Sequence, residues 1–197
     1  MTRLCLLRHA TTAWNLERRL QGRTDTALAP AGRREAASWR LPPWCARAHA
    51  WTSPMLRARE TAALLGRHDA EVAPELVEMS WGIWEGRTLA ELRAADAERV
   101  AALEAQGLDL SAPGGESPRL VAARLAPFLA RLALLGGDHL AITHKGVIRA
   151  AYALASGWDM RAHPPLRIGQ GTALLLLLER DGSLRDPRTW PLSEPAG

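Results

Sequence analysis

The chain has 197 residues and a mass of 21.5 kDa, with 47% hydrophobic and 23% charged residues. A globular chain of that size buries roughly 70% of the surface its extended form exposes, so one sizeable core fits. Disordered, collagen-like and coiled-coil classes are excluded. The net charge is +4 with a pI near 10.0, but the basic residues are scattered singly or in pairs (Arg18-Arg19, Arg33-Arg34) among acids. That pattern argues against a nucleic-acid footprint or a basic membrane patch. Lys145 is the only lysine.

Cys5 and Cys45, the two cysteines, are too few for a disulfide framework or a structural zinc cluster, so a reducing, cytoplasmic location is expected. The longest apolar run, residues 173–178, is too short to span a bilayer. The short stretch 4–7 ahead of Arg8 and His9 does not make a signal peptide.

In chain order, residues 3–8 read as a buried strand and 48–52 as a second, short one. Met55, Ala58, Ala62 and Leu65 then fall on one helical stripe. Ser117 followed by Pro118 starts another helix, with a stripe of Val121, Leu125, Phe128, Leu132 and Leu135 and an expected kink at Pro127. Residues 139–143 read as a third strand and 172–179 as a fourth, stopped by the Asp181-Gly182 turn. Strands interleaved with helices predict an α/β fold, a three-layer αβα sandwich with a mostly parallel central sheet. Ligands of such sheets sit at the carboxyl ends of strands, which directs attention to Arg8, His9 and His144.

Six motifs follow one another in the chain. Arg8-His9-Ala10-Thr11-Thr12 closes the first strand, and Gly22-Arg23-Thr24-Asp25 comes next. Ser53-Pro54-Met55-Leu56-Arg57 opens the first stripe, and Glu78-Met79-Ser80-Trp81-Gly82-Ile83-Trp84-Glu85-Gly86 follows it. Pro113-Gly114-Gly115-Glu116-Ser117 and Thr143-His144-Lys145-Gly146-Val147-Ile148-Arg149 complete the set. This ordered set resembles the histidine phosphatase superfamily, the phosphoglycerate mutase-like proteins, and is most similar to its α-ribazole phosphatase and broad-specificity phosphatase branch. The resemblance spans nearly the whole chain and implies a phosphoglycerate mutase-like fold in one domain over residues 1–197.

Phosphoryl transfer from a monoester needs a nucleophile, cations around the nonbridging oxygens, and a proton for the leaving alkoxide. The resemblance implies that His9 is the nucleophile and carries a phosphohistidine, with Arg8, Arg57 and His144 clamping the phosphoryl group. Glu78 matches the proton donor, and Glu85 is the competing candidate. Asn15 and Thr12 are secondary phosphate donors or, equally, turn and cap residues. Gln21 and Gly22 are substrate-side contacts by analogy. Lys145 stands where a glycine is common and either adds charge near the phosphate or points into solvent. Trp14, Trp81 and Trp84 are expected to wall the pocket, and Trp39, Trp44, Trp51, Trp158 and Trp190 to pack.

No His-Glu-x-x-His or paired-cysteine spacing appears, and the resemblance implies catalysis without metal or organic cofactor. Arg23 stands where many mutases carry an aromatic residue, and only residues 88–112 are available as a covering insert. A phosphatase acting on a small phosphorylated metabolite is therefore favoured over a cofactor-dependent phosphoglycerate mutase. A noncatalytic phosphate-binding module is the third reading, disfavoured because binding alone needs neither nucleophile nor acid. Nothing in the sequence assigns an oligomeric state.

Overall fold

A computed structural model describes residues 2–193. In the first strand, β1 (Thr2–Arg8), Leu4 and Leu6 alternate with Cys5 and Leu7, and all four are buried, so both faces are covered. The chain continues through α1 (Ala13–Leu16), α2 (Pro30–Ser38), β2 (His49–Thr52), α3 (Leu56–Leu64) and β3 (Glu71–Val72). After these come α4 (Leu89–Ala95), α5 (Ala97–Glu104), α6 (Pro118–Leu135), β4 (Asp138–Thr143), α7 (Lys145–Ser156), β5 (Thr172–Leu178) and β6 (Leu184–Pro191).

The strands form one sheet in the order β3-β2-β4-β1-β5-β6. β1, β4, β2 and β3 are parallel neighbours, whereas β5 pairs antiparallel with β1 and β6 antiparallel with β5. On one face Leu4, Leu6, Ala141 and Leu176 meet Val121, Leu125 and Phe128 of α6 and Val147 and Ile148 of α7. On the other, Cys5, Leu7, Leu140 and Ile142 meet Ala36 of α2 and Ala58 and Ala62 of α3. The architecture is thus the expected three-layer αβα sandwich with a mostly parallel sheet. Leu92, Val100 and Ala112 of the α4–α5 region gather with Trp84 in a smaller cluster of their own.

Two strands were not expected. β3 is two exposed residues, too short to carry a period. β6 contains Arg185, Asp186 and Arg188 and opposes a register shift in β5 between Leu175 and Leu177, the polar, irregular character of an edge. The helix α6 runs through Pro127 without a break. Its stripe ends at Leu132; Leu135, expected to be buried, is 57% exposed, at the solvent-facing end of the helix before Gly136. Among the described residues no helix is long and apolar enough to cross a membrane.

The central pair of strands positions the site. In the β1–β4 register Arg8 lies opposite Thr143, and the His9 N–H donates to the Thr143 carbonyl at 2.9 Å. His9 and His144 therefore leave adjacent parallel strands at the same, carboxyl-terminal edge.

Candidate active site

A carbonyl oxygen can only accept, so the 2.7 Å contact between His9 Nδ1 and the Ala10 carbonyl places the imidazole proton on Nδ1. The lone pair is left on Nε2. Burial pushes the His9 pKa well below the imidazole range, and the charges of Arg8 and Arg57 add to the effect against the Ala10 hydrogen bond. The ring is neutral at physiological pH.

The His144 ring centre lies 5.2 Å from that of His9, with the planes tilted by 58°. Its Nε2 is 2.7 Å from Ser53 Oγ. That hydroxyl accepts from the Met55 N–H at 3.3 Å and has its own hydrogen free, and we assign that hydrogen to Nε2 because this leaves a donor on the other ring nitrogen. The His144 proton then sits on Nδ1, which is buried without a partner. Burial, then Arg57 and His9, hold this histidine well below the usual range too. It is a neutral donor.

Arg57, in the first turn of α3, is completely buried. It donates through Nη1 to the Thr24 carbonyl at 3.0 Å and through Nη2 to the Gly22 carbonyl at 2.8 Å. Its Nε has no partner, nor has the buried Nε of Arg8. Among the described residues, three of the six buried side-chain polar atoms that lack a partner are thus donors at this one site. Buried donors are ordinarily satisfied, and a cluster of unsatisfied ones, two of them on guanidinium groups, marks a place for an anion.

Glu78 is buried, and its Oε1 accepts from the N–H groups of Met79 at 2.8 Å and Gly146 at 3.1 Å. Burial raises its pKa above the usual carboxylate value, against the Met79 bond, the Arg57 charge, the Gly146 bond and the Arg8 charge. A Cβ on Gly146 would come within 2.5 Å of this oxygen, so the close approach requires glycine. Arg124 of α6 fixes the preceding loop by donating to the carbonyls of Glu75 and Val77 while it pairs with Glu116. The Pro-Gly-Gly-Glu-Ser motif is explained in this way: Glu116 braces Arg124, and Ser117 caps α6.

Glu85, the competing acid, is engaged elsewhere. Its Oε1 accepts from the N–H groups of Arg23 at 2.9 Å and Trp81 at 3.1 Å, and its Oε2 from the N–H and hydroxyl of Thr24 at 2.9 and 2.6 Å. Partial burial opposes ionisation, but these bonds, led by the Thr24 hydroxyl, keep the group below the ordinary carboxylate value. Glu85 ties together the loop that Arg57 grips. Gly22, at φ +55°, leaves no room for a side chain against that carboxylate.

A cavity of about 1120 Å³ opens over these groups. Of the residues expected at the site, Arg8, His9, Asn15, Gln21, Gly22, Arg57, Glu78 and Lys145 line it, and Thr12 and His144 do not. Thr12 is the cap of α1, its Oγ1 accepting from the Asn15 N–H at 3.2 Å and from Gln21 Nε2 at 2.7 Å. Asn15 Oδ1 accepts from the Thr12 N–H, and Gln21 Oε1 accepts from the Thr26 hydroxyl. Trp81 and Trp84 line the cavity with rings stacked 6.3 Å apart. Trp14 does not line it; its ring lies over Gly86. Thr88, Leu89 and Ala90, with Glu104, Gly107 and Leu110, bring the 88–112 segment to the cavity wall.

Residues 4–190 match the histidine phosphatase superfamily (branch 1). The chain belongs to that superfamily. It is 30% identical over 191 residues to the 2,3-bisphosphoglycerate-dependent phosphoglycerate mutase of Methylobacterium sp., covering 90% of this chain and 92% of that one. It is 36% identical over 142 residues to the glucosyl-3-phosphoglycerate phosphatase of Mycobacterium tuberculosis, covering 66% of this chain and 60% of that one. A bifunctional protein of Mycobacterium tuberculosis is 34% identical over 82% of this chain, which there spans 47% of the relative's length. Among solved structures, mycobacterial glucosyl-3-phosphoglycerate phosphatase complexed with VO3 superposes with a TM-score of 0.78 at 29% identity over 97% of this chain and 99% of that one.

Three supporting residues of this histidine phosphatase were not singled out from sequence. Ser53 orients His144 as described. Thr61 Oγ1 accepts from the Ala10 N–H at 3.0 Å and donates to the Arg57 carbonyl at 2.7 Å. Glu35 of α2 accepts through Oε2 from the Thr11 N–H at 3.1 Å and the Thr11 hydroxyl at 2.7 Å, while Oε1 accepts from Gln170 at 2.8 Å. The peptide groups on either side of Ala10, whose carbonyl fixes the His9 tautomer, are thereby held at their N–H groups, the one before it by Thr61 and the one after it by Glu35. Ser53 and Thr61 lay inside or beside the Arg57 motif, whereas nothing in the local sequence marks Glu35.

Proposed function

We propose that this chain hydrolyses small phosphomonoesters through a covalent phosphohistidine at His9. One observation carries the reading: a neutral imidazole, fixed as the Nδ1–H tautomer, beside unpartnered buried donors from Arg8, Arg57 and His144. In the first step the His9 Nε2 lone pair attacks phosphorus, the ester P–O bond breaks, and protonated Glu78 gives its proton to the leaving alkoxide. In the second, water attacks phosphorus, Glu78 carboxylate takes a water proton, the P–N bond breaks and phosphate leaves. Arg8, Arg57 and the His144 Nδ1–H stabilise the equatorial oxygens in both steps. Asn15, with its Oδ1 already engaged, has Nδ2 hydrogens left for the same group. The 88–112 segment acts as a cover within a single domain, and unpaired Cys5 and Cys45 fit a reducing cytoplasm.

The test is hydrolysis of p-nitrophenyl phosphate, with acid quenching avoided and a phosphoryl label followed on the protein. The wild type is expected to turn over and to carry an acid-labile, alkali-stable label; His9→Ala should lose both while melting normally. Turnover by His9→Ala at the wild-type rate sinks the reading. The mutase alternative, which the Methylobacterium relative favours, predicts instead rapid exchange of 3-phosphoglycerate to 2-phosphoglycerate with 2,3-bisphosphoglycerate present and little free phosphate.

A further inference from the structure

The helix α7 begins with Lys145, although the amino-terminal end of a helix is where its dipole disfavours a cation. Arg149 follows one turn later on the same helix face, and like charges four residues apart repel. Both line the cavity, and among the described residues neither forms an ion pair. The acids on the same wall do not answer them. Glu17 is held by Arg19 at 2.6 Å and Glu104 by Arg93 at 2.7 Å, while Glu78 is bound to the Met79 and Gly146 N–H groups.

Arg149 lies 4.9 Å over the Trp158 ring, which orients the guanidinium without neutralising it. Desolvation lowers the pKa of both groups; for Lys145 the charges of Arg8 and Arg149 lower it further and Glu78 opposes. A cation at the first residue of a helix, with a second unpaired cation one turn on to repel it, is a local conflict of the kind that function sustains.

We propose that Lys145 and Arg149 form a second anion subsite, so that the preferred phosphomonoester carries another negative group, a carboxylate or a second phosphate, on its alcohol portion. This rests on the phosphatase reading above and names the substrate class. Lys145 follows His144 directly and feels the charge of Arg8, and four residues of helix rise about 6 Å. The cations thus lead outward from the phosphoryl site, at a reach suited to a group a few bonds from the ester.

Matched substrates test it. 3-Phosphoglycerate and glycerol 3-phosphate differ in a carboxylate against a hydroxymethyl group; fructose 1,6-bisphosphate and fructose 6-phosphate differ in a phosphate. At low salt the wild type is expected to prefer the more anionic member of at least one pair by about tenfold in kcat/KM, the scale of one charge-assisted hydrogen bond. The pair that shows the preference tells carboxylate from phosphate. Lys145→Met/Arg149→Met is expected to cut that ratio below about threefold. Equal use of both members of both pairs by the wild type, or an unchanged ratio in the double variant, overturns the proposal. Should p-nitrophenyl phosphate not be hydrolysed, the phosphatase reading fails on its own. Calorimetric affinities for the same pairs then decide the subsite, a ratio near one counting against it.

Discussion

Glutamine at position 78 and glutamine at position 85 should fail in different ways, and the structure sets the sizes. In Glu85→Gln the new NH2 faces two former donors whichever way the amide turns: the Arg23 and Trp81 N–H groups, or the N–H and hydroxyl of Thr24. Each hydrogen bond to a charged acceptor contributes about 1.5 kcal/mol. Two lost in a half-exposed setting come to about 2 kcal/mol, or roughly 4–8 °C in Tm for a chain of this size. In Glu78→Gln the amide oxygen keeps both the Met79 and Gly146 donors, so the melting temperature should move by less than about 2 °C.

Activity should separate the pair in the opposite sense. Loss of a general acid costs about 10²–10⁴-fold on an alkyl phosphate, whose alkoxide needs a proton. On p-nitrophenyl phosphate, whose phenolate leaves unaided, the loss for Glu78→Gln should stay within about tenfold. Differential scanning calorimetry and kcat/KM on the two esters are the assays. Equal losses on both esters for Glu78→Gln, or a leaving-group dependence that belongs to Glu85→Gln, would refute the assignment of the proton donor.

Acid should destabilise the fold through its two central imidazoles. His9 and His144 titrate well below the ordinary 6.5 when folded, so beneath about pH 6.5 the unfolded chain binds protons that the folded chain does not. Stability present above that pH is lost as it falls, by up to about 1.4 kcal/mol per pH unit for each ring; Glu78, shifted upward, works in the opposite sense. Denaturant titrations from pH 7 to 5 should show the slope, to which the buried His139, also shifted down by burial, adds; His144→Asn should reduce it, and a flat profile would contradict the burial of neutral rings. Gly146→Ala is the last case. Helix propensity alone favours it by about 1 kcal/mol, yet its Cβ would displace the Glu78 carboxyl, so alkyl phosphate turnover should fall at least about tenfold. An active, stabilised Gly146→Ala would mean that Glu78 has freedom the packing denies it.

Four strands were legible in the sequence: β1, β4 and β5 read as apolar runs because helices cover them on both sides, and β2 as a shorter stretch whose last three residues are buried. The edges β3 and β6 carried no such pattern, since solvent sets no period on an exposed strand. At the site, the motifs delivered Arg8, His9, Arg57, Glu78 and His144, the groups whose chemistry is written in their residue type. What they could not convey is which nitrogen of each imidazole holds the proton. That depends on Ala10 for one ring and on Ser53, 91 positions from His144, for the other. Thr12 shows the reverse: its hydroxyl suits phosphate, but the turn of α1 and Gln21 take it first. That Glu85 is taken up by the main chain and hydroxyl of its own loop was visible only in the folded chain.

The interval between the two imidazoles is set by the final rung of a main-chain ladder, Arg8 opposite Thr143 with the His9 amide on the Thr143 carbonyl. Backbone pairing fixes that spacing at about 4.8 Å between strands whatever the surrounding side chains. Descendants of this chain can therefore re-tailor the outer walls for a different alcohol without retuning the reactive centre. The same arrangement makes the centre brittle in one direction. A slip of a single residue between β1 and β4 would turn one imidazole to the opposite side of the sheet, so damage to the middle of the sheet should extinguish turnover abruptly instead of eroding it.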